Sequence, residues 1–138
     1  SVAQGGDQLL AGEVLIVPSD RQVTFTDGVL TILPTPWPGP YGPSVDQLIL
    51  NAHKAFPDLG VILFSGMGND GAEAAQVLKP LDVPIWAQSS ETCASSAMPD
   101  ACRDTGAVNF SGSPKELANR LVETIQNFES VANKQNPL

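Results

Sequence analysis

Val61-Ile62-Leu63-Phe64-Ser65-Gly66-Met67-Gly68-Asn69-Asp70-Gly71-Ala72-Glu73 passes from an apolar run into a glycine-rich corner that carries one acid. Four consecutive apolar residues suit a strand buried on both faces, as parallel sheets require, and residues 71–79 read as a helix stopped or kinked by Pro80. Such a strand–corner–helix unit presents its loop at the carboxyl end of a sheet, where open α/β sheets place their sites. Asp70 has two readings. It stands three residues before Glu73, the spacing of a capping box in which the carboxylate accepts helix amides, or it is a catalytic acid. Glycines 66, 68 and 71 could cradle a phosphate, but the carboxylate would repel it, and neither GxGxxG nor a P-loop lysine is present.

The flanking segments give the architecture. Downstream, residues 83–88 form a strand pattern followed by a small polar run at 89–96. Met98-Pro99 opens a short helix closed by Gly106, and residues 107–110 suit another strand. Ser113-Pro114-Lys115-Glu116 is a capping box, after which Leu117, Leu121, Ile125, Phe128 and Ala132 share a helix face; residues beyond about 133 look frayed. Upstream, residues 14–17 read as a short strand closed by Pro18, and residues 22–26 and 29–33 flank Asp27-Gly28 as a hairpin expected at a sheet edge. Residues 34–43 hold five prolines and can form neither helix nor central strand. This loop either presents Trp37 and Tyr41 to a ligand or is a connector whose aromatics cover the domain. Ser44-Val45-Asp46-Gln47 reads as a capping box opening a helix with Val45, Leu48, Ile49, Ala52 and Phe56 inward and Asn51 and Lys54 outward. His53, the only histidine, falls on the flank with no acid or nucleophile beside it in sequence. Strands alternating with helices predict one α/β domain: a mainly parallel, doubly wound sheet flanked by helices, with the antiparallel hairpin at one edge.

Composition narrows the function classes. The 138 residues carry a formal charge of -8 with only seven Lys and Arg, which disfavours nucleic acid and anionic membranes as partners. No apolar run approaches a membrane span, so no membrane insertion is expected, and a cytoplasmic location follows as the expectation. Cys93 and Cys102 are expected to stay reduced. The chain opens without Met on loop-like sequence, as a piece of something longer would. No cofactor and no metal are expected.

The corner Phe64-Ser65-Gly66-Met67-Gly68-Asn69-Asp70-Gly71-Ala72 closely resembles the Gly-Met-Gly-x-Asp-Gly motif of CheB-type chemotaxis protein-glutamate methylesterases. Three further segments match in order: residues 12–21 resemble a strand entering Ala-Pro-x-Asp-Arg-His, Pro43-Ser44-Val45-Asp46 resembles Arg-Pro-Ser-Val-Asp, and residues 88–99 resemble Gln-Asp-Glu to Gly-Met-Pro. The resemblance implies a hydrolytic α/β domain that uses a Ser-His-Asp triad to demethylate, and in some members deamidate, chemoreceptor signalling helices. It makes Asp70 the triad acid and gives the backbone amide of Met67 to the oxyanion hole.

Departures from the family pattern are as informative. The Gly-Ala-Ser-x-Gly-Gly corner of the nucleophile, the catalytic histidine and the regulatory receiver domain have no counterpart here. Gly42 stands for the arginine, Gln22 for the histidine and Ser89-Ser90 for the Asp-Glu pair, the last weakening charge at the mouth of the site. The expectation is a carboxyl-terminal portion of a methylesterase catalytic domain spanning 1–138, inactive alone and able to form a homodimer through an exposed sheet edge. The alternative is a degenerate, non-catalytic interaction module in a chemosensory or pilus-linked system. A nucleotide-binding domain is a third class, expected to show no nucleotide binding.

Overall fold

The computed structural model describes residues 3–6, 8, 11–39 and 42–135, with the side chains of 131–135 left aside. Two small sheets share one helix. Strands β1 (Val23–Thr26) and β2 (Val29–Ile32) pair antiparallel around Asp27 and Gly28, both at positive φ, as a two-residue primed turn requires. Backbone bonds from Gln22 to Thr35 and from Leu33 to Gln22 extend the ladder beyond both strands. The hairpin was expected at the edge of the main sheet. It instead forms a sheet of its own, because helix α1 (Val45–Ala55) packs against β1 and the Asn51 side chain donates to the Val23 carbonyl. Asn51 is therefore half-buried and bonded rather than outward-facing; its amide oxygen also accepts from Gln47.

The second sheet is parallel, in the order β3 (Val61–Leu63), β4 (Ile85–Gln88), β5 (Phe110–Gly112). Every residue of β4 is buried, as befits a central parallel strand covered on both faces. Val61, Leu63 and Ile85 pack with Ala74, Ala75 and Leu78 of α2 (Ala72–Leu78), with Ile49 of α1 and with Cys102 of α3 (Ala97–Asp104). On the opposite face Trp86 and Phe110 meet edge to face at 5.9 Å, and Arg120 of α4 (Pro114–Gln135) lies 4.5 Å over the Phe110 ring. The second capping box forms as expected: Glu116 N–H donates to Ser113 Oγ at 3.1 Å and Ser113 N–H to Glu116 Oε1 at 3.0 Å.

A smaller core of Ala3, Val23, Leu30 and Trp37 lies under the hairpin. Trp37 is only 4 % exposed and donates Nε1–H to the Pro18 carbonyl, so for this residue the connector reading of the proline-rich loop holds. Tyr41 lies outside the described residues. Among the described residues, 14–17 run beside this core and belong to no named strand: Ala3 N–H donates to the Ile16 carbonyl, Leu15 and Val17 pack inward, and Val14 and Ile16 are exposed. The strand expected at 107–110 begins later, at Phe110, because Ala107 and Val108 pack into the core before the chain reaches register with Trp86. Both cysteines are free. No described helix is long and apolar enough to cross a membrane.

Candidate active site

The carboxyl ends of the parallel strands converge on the corner that follows β3. Gln88, the last residue of β4 and buried, accepts the Ser65 N–H through Oε1 at 2.8 Å, while its amide nitrogen donates to the Thr92 carbonyl. The corner is then stitched to residues 95–98. Gly66 N–H donates to the Ser95 carbonyl, Met98 N–H and Ser95 Oγ–H both donate to the Gly66 carbonyl, and Ser65 Oγ–H bonds the Ser95 carbonyl. Gly66 is thus held through both its N–H and its carbonyl. By contrast, the N–H groups of Met67 through Gly71 have no partner among the described residues, and Met67 is 83 % exposed.

Asp70 is a cap, but not of the helix its spacing suggested. The Val45 N–H donates to its Oδ2 at 2.7 Å and the Asp46 N–H to its Oδ1 at 2.8 Å, so the carboxylate caps the first turn of α1. Gly71, at φ 100°, takes the N-cap position of α2 and sets Asp70 one residue outside it; Glu73 is exposed. Ser44 Oγ accepts the Gln47 N–H at 3.2 Å, but the Gln47 side chain turns to Asn51, leaving half of the expected box. With two amides on a carboxylate of about four acceptor positions, Asp70 retains capacity for a further donor.

Asp70, Met67, Gly66 and Asn69 line a cleft of about 950 Å³ whose other walls include Met98, Leu50, Glu73 and, from the proline-rich loop, Pro38 and Gly39. The structure therefore brings together the two residues singled out in the sequence, Asp70 and Met67. It does not bring His53 to them: His53 is half-buried on the flank of α1 and does not line the cleft. Nor do Ser89 and Ser90 stand at its mouth, as expected. Ser90 Oγ–H donates to Asp100 and accepts from Arg103, both of α3, while Ser89 pairs with Thr92 in the turn after β4. Bonds from Ser90 and Arg103 hold the Asp100 carboxyl down at about 2. Gly42, in place of an arginine, lies so close to the Ser19 carbonyl that a Cβ would overlap it.

With this geometry in place, comparison with known proteins is decisive. The model of the CheB methylesterase family matches residues 1–121. The chain belongs to the CheB methylesterase family. Among its relatives, the protein-glutamate methylesterase/protein-glutamine glutaminase 2 of Anaeromyxobacter dehalogenans is 38% identical over 109 residues, covering 78% of this chain and 32% of the relative. A counterpart from Myxococcus xanthus is also 38% identical, over 112 residues, covering 77% of this chain and 32% of the relative. The chain spans about a third of the length of such curated relatives. The crystal structure of the Thermotoga maritima CheB methylesterase catalytic domain superposes with a TM-score of 0.78 at 22% identity, covering 88% of this chain and 67% of that one, and shares the fold.

Within a CheB-type domain, what sequence spacing missed is the supporting set of Asp46, Gln88 and Ser95. Each acts across 23 or more residues of chain: Asp46 takes the Ala74 N–H, Gln88 the Ser65 N–H, and Ser95 bonds Ser65 and Gly66. Gln88 had a signal, a polar residue closing a buried strand; Asp46 and Ser95 had only their place in the matched segments.

Proposed function

We propose that these residues are the acid-bearing portion of a protein-glutamate methylesterase, with Asp70 as triad acid and the Met67 amide as an oxyanion donor. The observation that carries the reading is a carboxylate fixed by two backbone amides at the carboxyl end of a parallel sheet, in one cleft with an amide that has no partner among the described residues. In the complete enzyme a serine attacks the glutamyl methyl ester while histidine takes its proton. Methanol leaves, and water releases the acyl-enzyme as glutamate. Asp70 holds the imidazole in the productive tautomer and stabilises the imidazolium, worth roughly 10⁴ in rate in the serine-protease template. An amide aimed at the developing oxyanion contributes roughly 10² to 10³. Deamidation of glutamine follows the same route with ammonia as leaving group.

The substrates on this reading are glutamyl side chains of chemoreceptor signalling helices, met in the cytoplasm during chemotaxis signalling. The 138 residues are a partial catalytic domain that contributes the acid but neither nucleophile nor base, so alone they release no methanol from methylated receptor. The outer edge of β3 has no partner strand among the described residues, and pairing of two copies there would give a homodimer. The test is methanol release by the isolated chain and by a longer parent protein. No release from the chain, and release from the parent that Asp70→Asn cuts by about 10⁴, is the expected pair of results. Turnover by the isolated chain would overturn the assignment.

A second reading has one observation in its favour. At Gly42 the backbone lies against Ser19 with no room for a side chain, so the contacts of the family arginine are lost. A non-catalytic interaction module would keep the sheet-end corner but need no nucleophile. The upstream sequence of the parent discriminates: a Gly-Ala-Ser-x-Gly-Gly corner followed by a histidine supports the enzyme, and neither supports the module.

A further inference from the structure

We infer that Asp46 is a positioning residue for Asp70: the two carboxylates are exchanged between the amino termini of α1 and α2, and this exchange sets the orientation of the site acid. The inference rests on the reading of Asp70 as triad acid for its kinetic consequence, though not for its structural one.

The bonds themselves show the exchange. The first turn of an α-helix leaves its amides without intrahelical acceptors. In α1, Val45 and Asp46 give their N–H groups to Asp70, and Gln47 gives its own to Ser44. In α2, the third residue, Ala74, gives its N–H to Asp46 Oδ1 at 2.8 Å. Asp46 therefore stands in α1 yet caps α2, while Asp70 precedes α2 yet caps α1. Either bond set alone would tie one loop to one helix. Together they close a ring of contacts in which the distance and angle between the two helix starts are fixed. Both carboxylates gain from the positive ends of the helix dipoles, which offsets the repulsion between them. The nearby Cys102 thiol is pushed up by burial and, further, by the charges of both Asp46 and Asp70.

The consequence concerns aim. A carboxylate held by two adjacent amides cannot rotate without breaking both, so its plane follows α1. The placement of α1 against the corner follows the Asp46–Ala74 bond. Removing the Asp46 acceptor frees the Ala74 N–H and lets α1 shift relative to the corner, and Asp70 turns with it. Asn at position 46 retains an oxygen that can accept the same N–H.

Amide hydrogen exchange of the 138-residue chain tests this without any activity. In Asp46→Ala, the Val45 and Ala74 N–H groups are expected to exchange about tenfold faster, the loss of roughly one hydrogen bond, while Asp46→Asn stays close to the parent rates. Unchanged protection of Val45 in Asp46→Ala overturns the inference, whether or not the protein is an esterase. In the longer parent enzyme, Asp46→Ala is expected to lower kcat by about 10- to 100-fold per titrated active site with KM unchanged, and Asp46→Asn to restore it. An equal loss in both variants, or a change in KM alone, also overturns it. A parent that is inactive with Asp46 intact instead refutes the methylesterase reading.

Discussion

Cys102 shows how far the charges of the site reach. Its thiol is fully buried, and burial first, then the carboxylates of Asp46 and Asp70, push it up to about 11 from about 9. The thiol is raised in the folded state because its thiolate is disfavoured there. Its contribution to stability is therefore complete below about pH 9 and is lost as the pH rises towards about 11, the unfolded chain ionising first. Urea melts between pH 8 and 11 should show this loss, and Cys102→Ala, which removes the titrating group, should flatten the alkaline limb. An unchanged alkaline limb in that variant would remove the thiol as its cause. The same residue scale shows what spacing could not reveal. Asp70 and Glu73 have capping-box spacing, yet the positive φ of Gly71 displaces Asp70 from its own helix and leaves its oxygens to amides 24 and 25 residues earlier. A pattern confined to four residues cannot contain that partner.

At the scale of elements, local chemistry was legible wherever partners are close in sequence. The Asp27-Gly28 turn, the Ser113–Glu116 box and the corner after β3 all formed where turn and cap residues indicated. Strand limits were less legible, because a ladder begins where a neighbour is in register rather than where apolar residues begin. Residues 14–17 and 107–110 contain the right residue types, but the first forms no named strand among the described residues, where Ala3 bonds the Ile16 carbonyl, and the second meets Trp86 only at Phe110. Gly71 joins the element scale to the site. Its φ of 100° is strained for any L side chain, and a Cβ would stand 3.3 Å from both Cys102 Sγ and Val45 Cγ1. Gly71→Ala should cost about 2 kcal/mol, a fall in Tm of roughly 5–10 °C. Gly68, at φ 77° with open space around its Cβ direction, is the control, and Gly68→Ala should cost about half as much. Equal melting of the two variants would show that crowding against α1 and α3 contributes nothing.

Among the described residues two cores are joined through α1. Ile49 belongs to the core of the parallel sheet, Leu48 packs on the hairpin core, and Phe56 meets Phe25 edge to face at 5.4 Å. The resemblance of the corner implied this α/β class, but no periodicity could show that the hairpin is a separate sheet. That depends on which face of α1 it covers. The last helix poses the opposite problem. Its apolar spacing is regular, yet among its described side chains only Leu117, at 1 % exposure, is buried; Leu121, Val122 and Ile125 are exposed and Phe128 is 74 % exposed. The helix face is apolar, as its spacing indicates, but little of it is covered, since periodicity reports a stripe and not what lies against it. The family match ends at residue 121, close to where burial ends. Leu117→Ala should therefore cost about 2–5 kcal/mol as a core truncation. Ile125→Glu and Phe128→Glu should each change stability by no more than about 0.5 kcal/mol, because they place charge where water already is. Thermal melts of the three variants decide the matter. A large loss in either glutamate variant would mean that the outer part of α4 is buried in the folded protein.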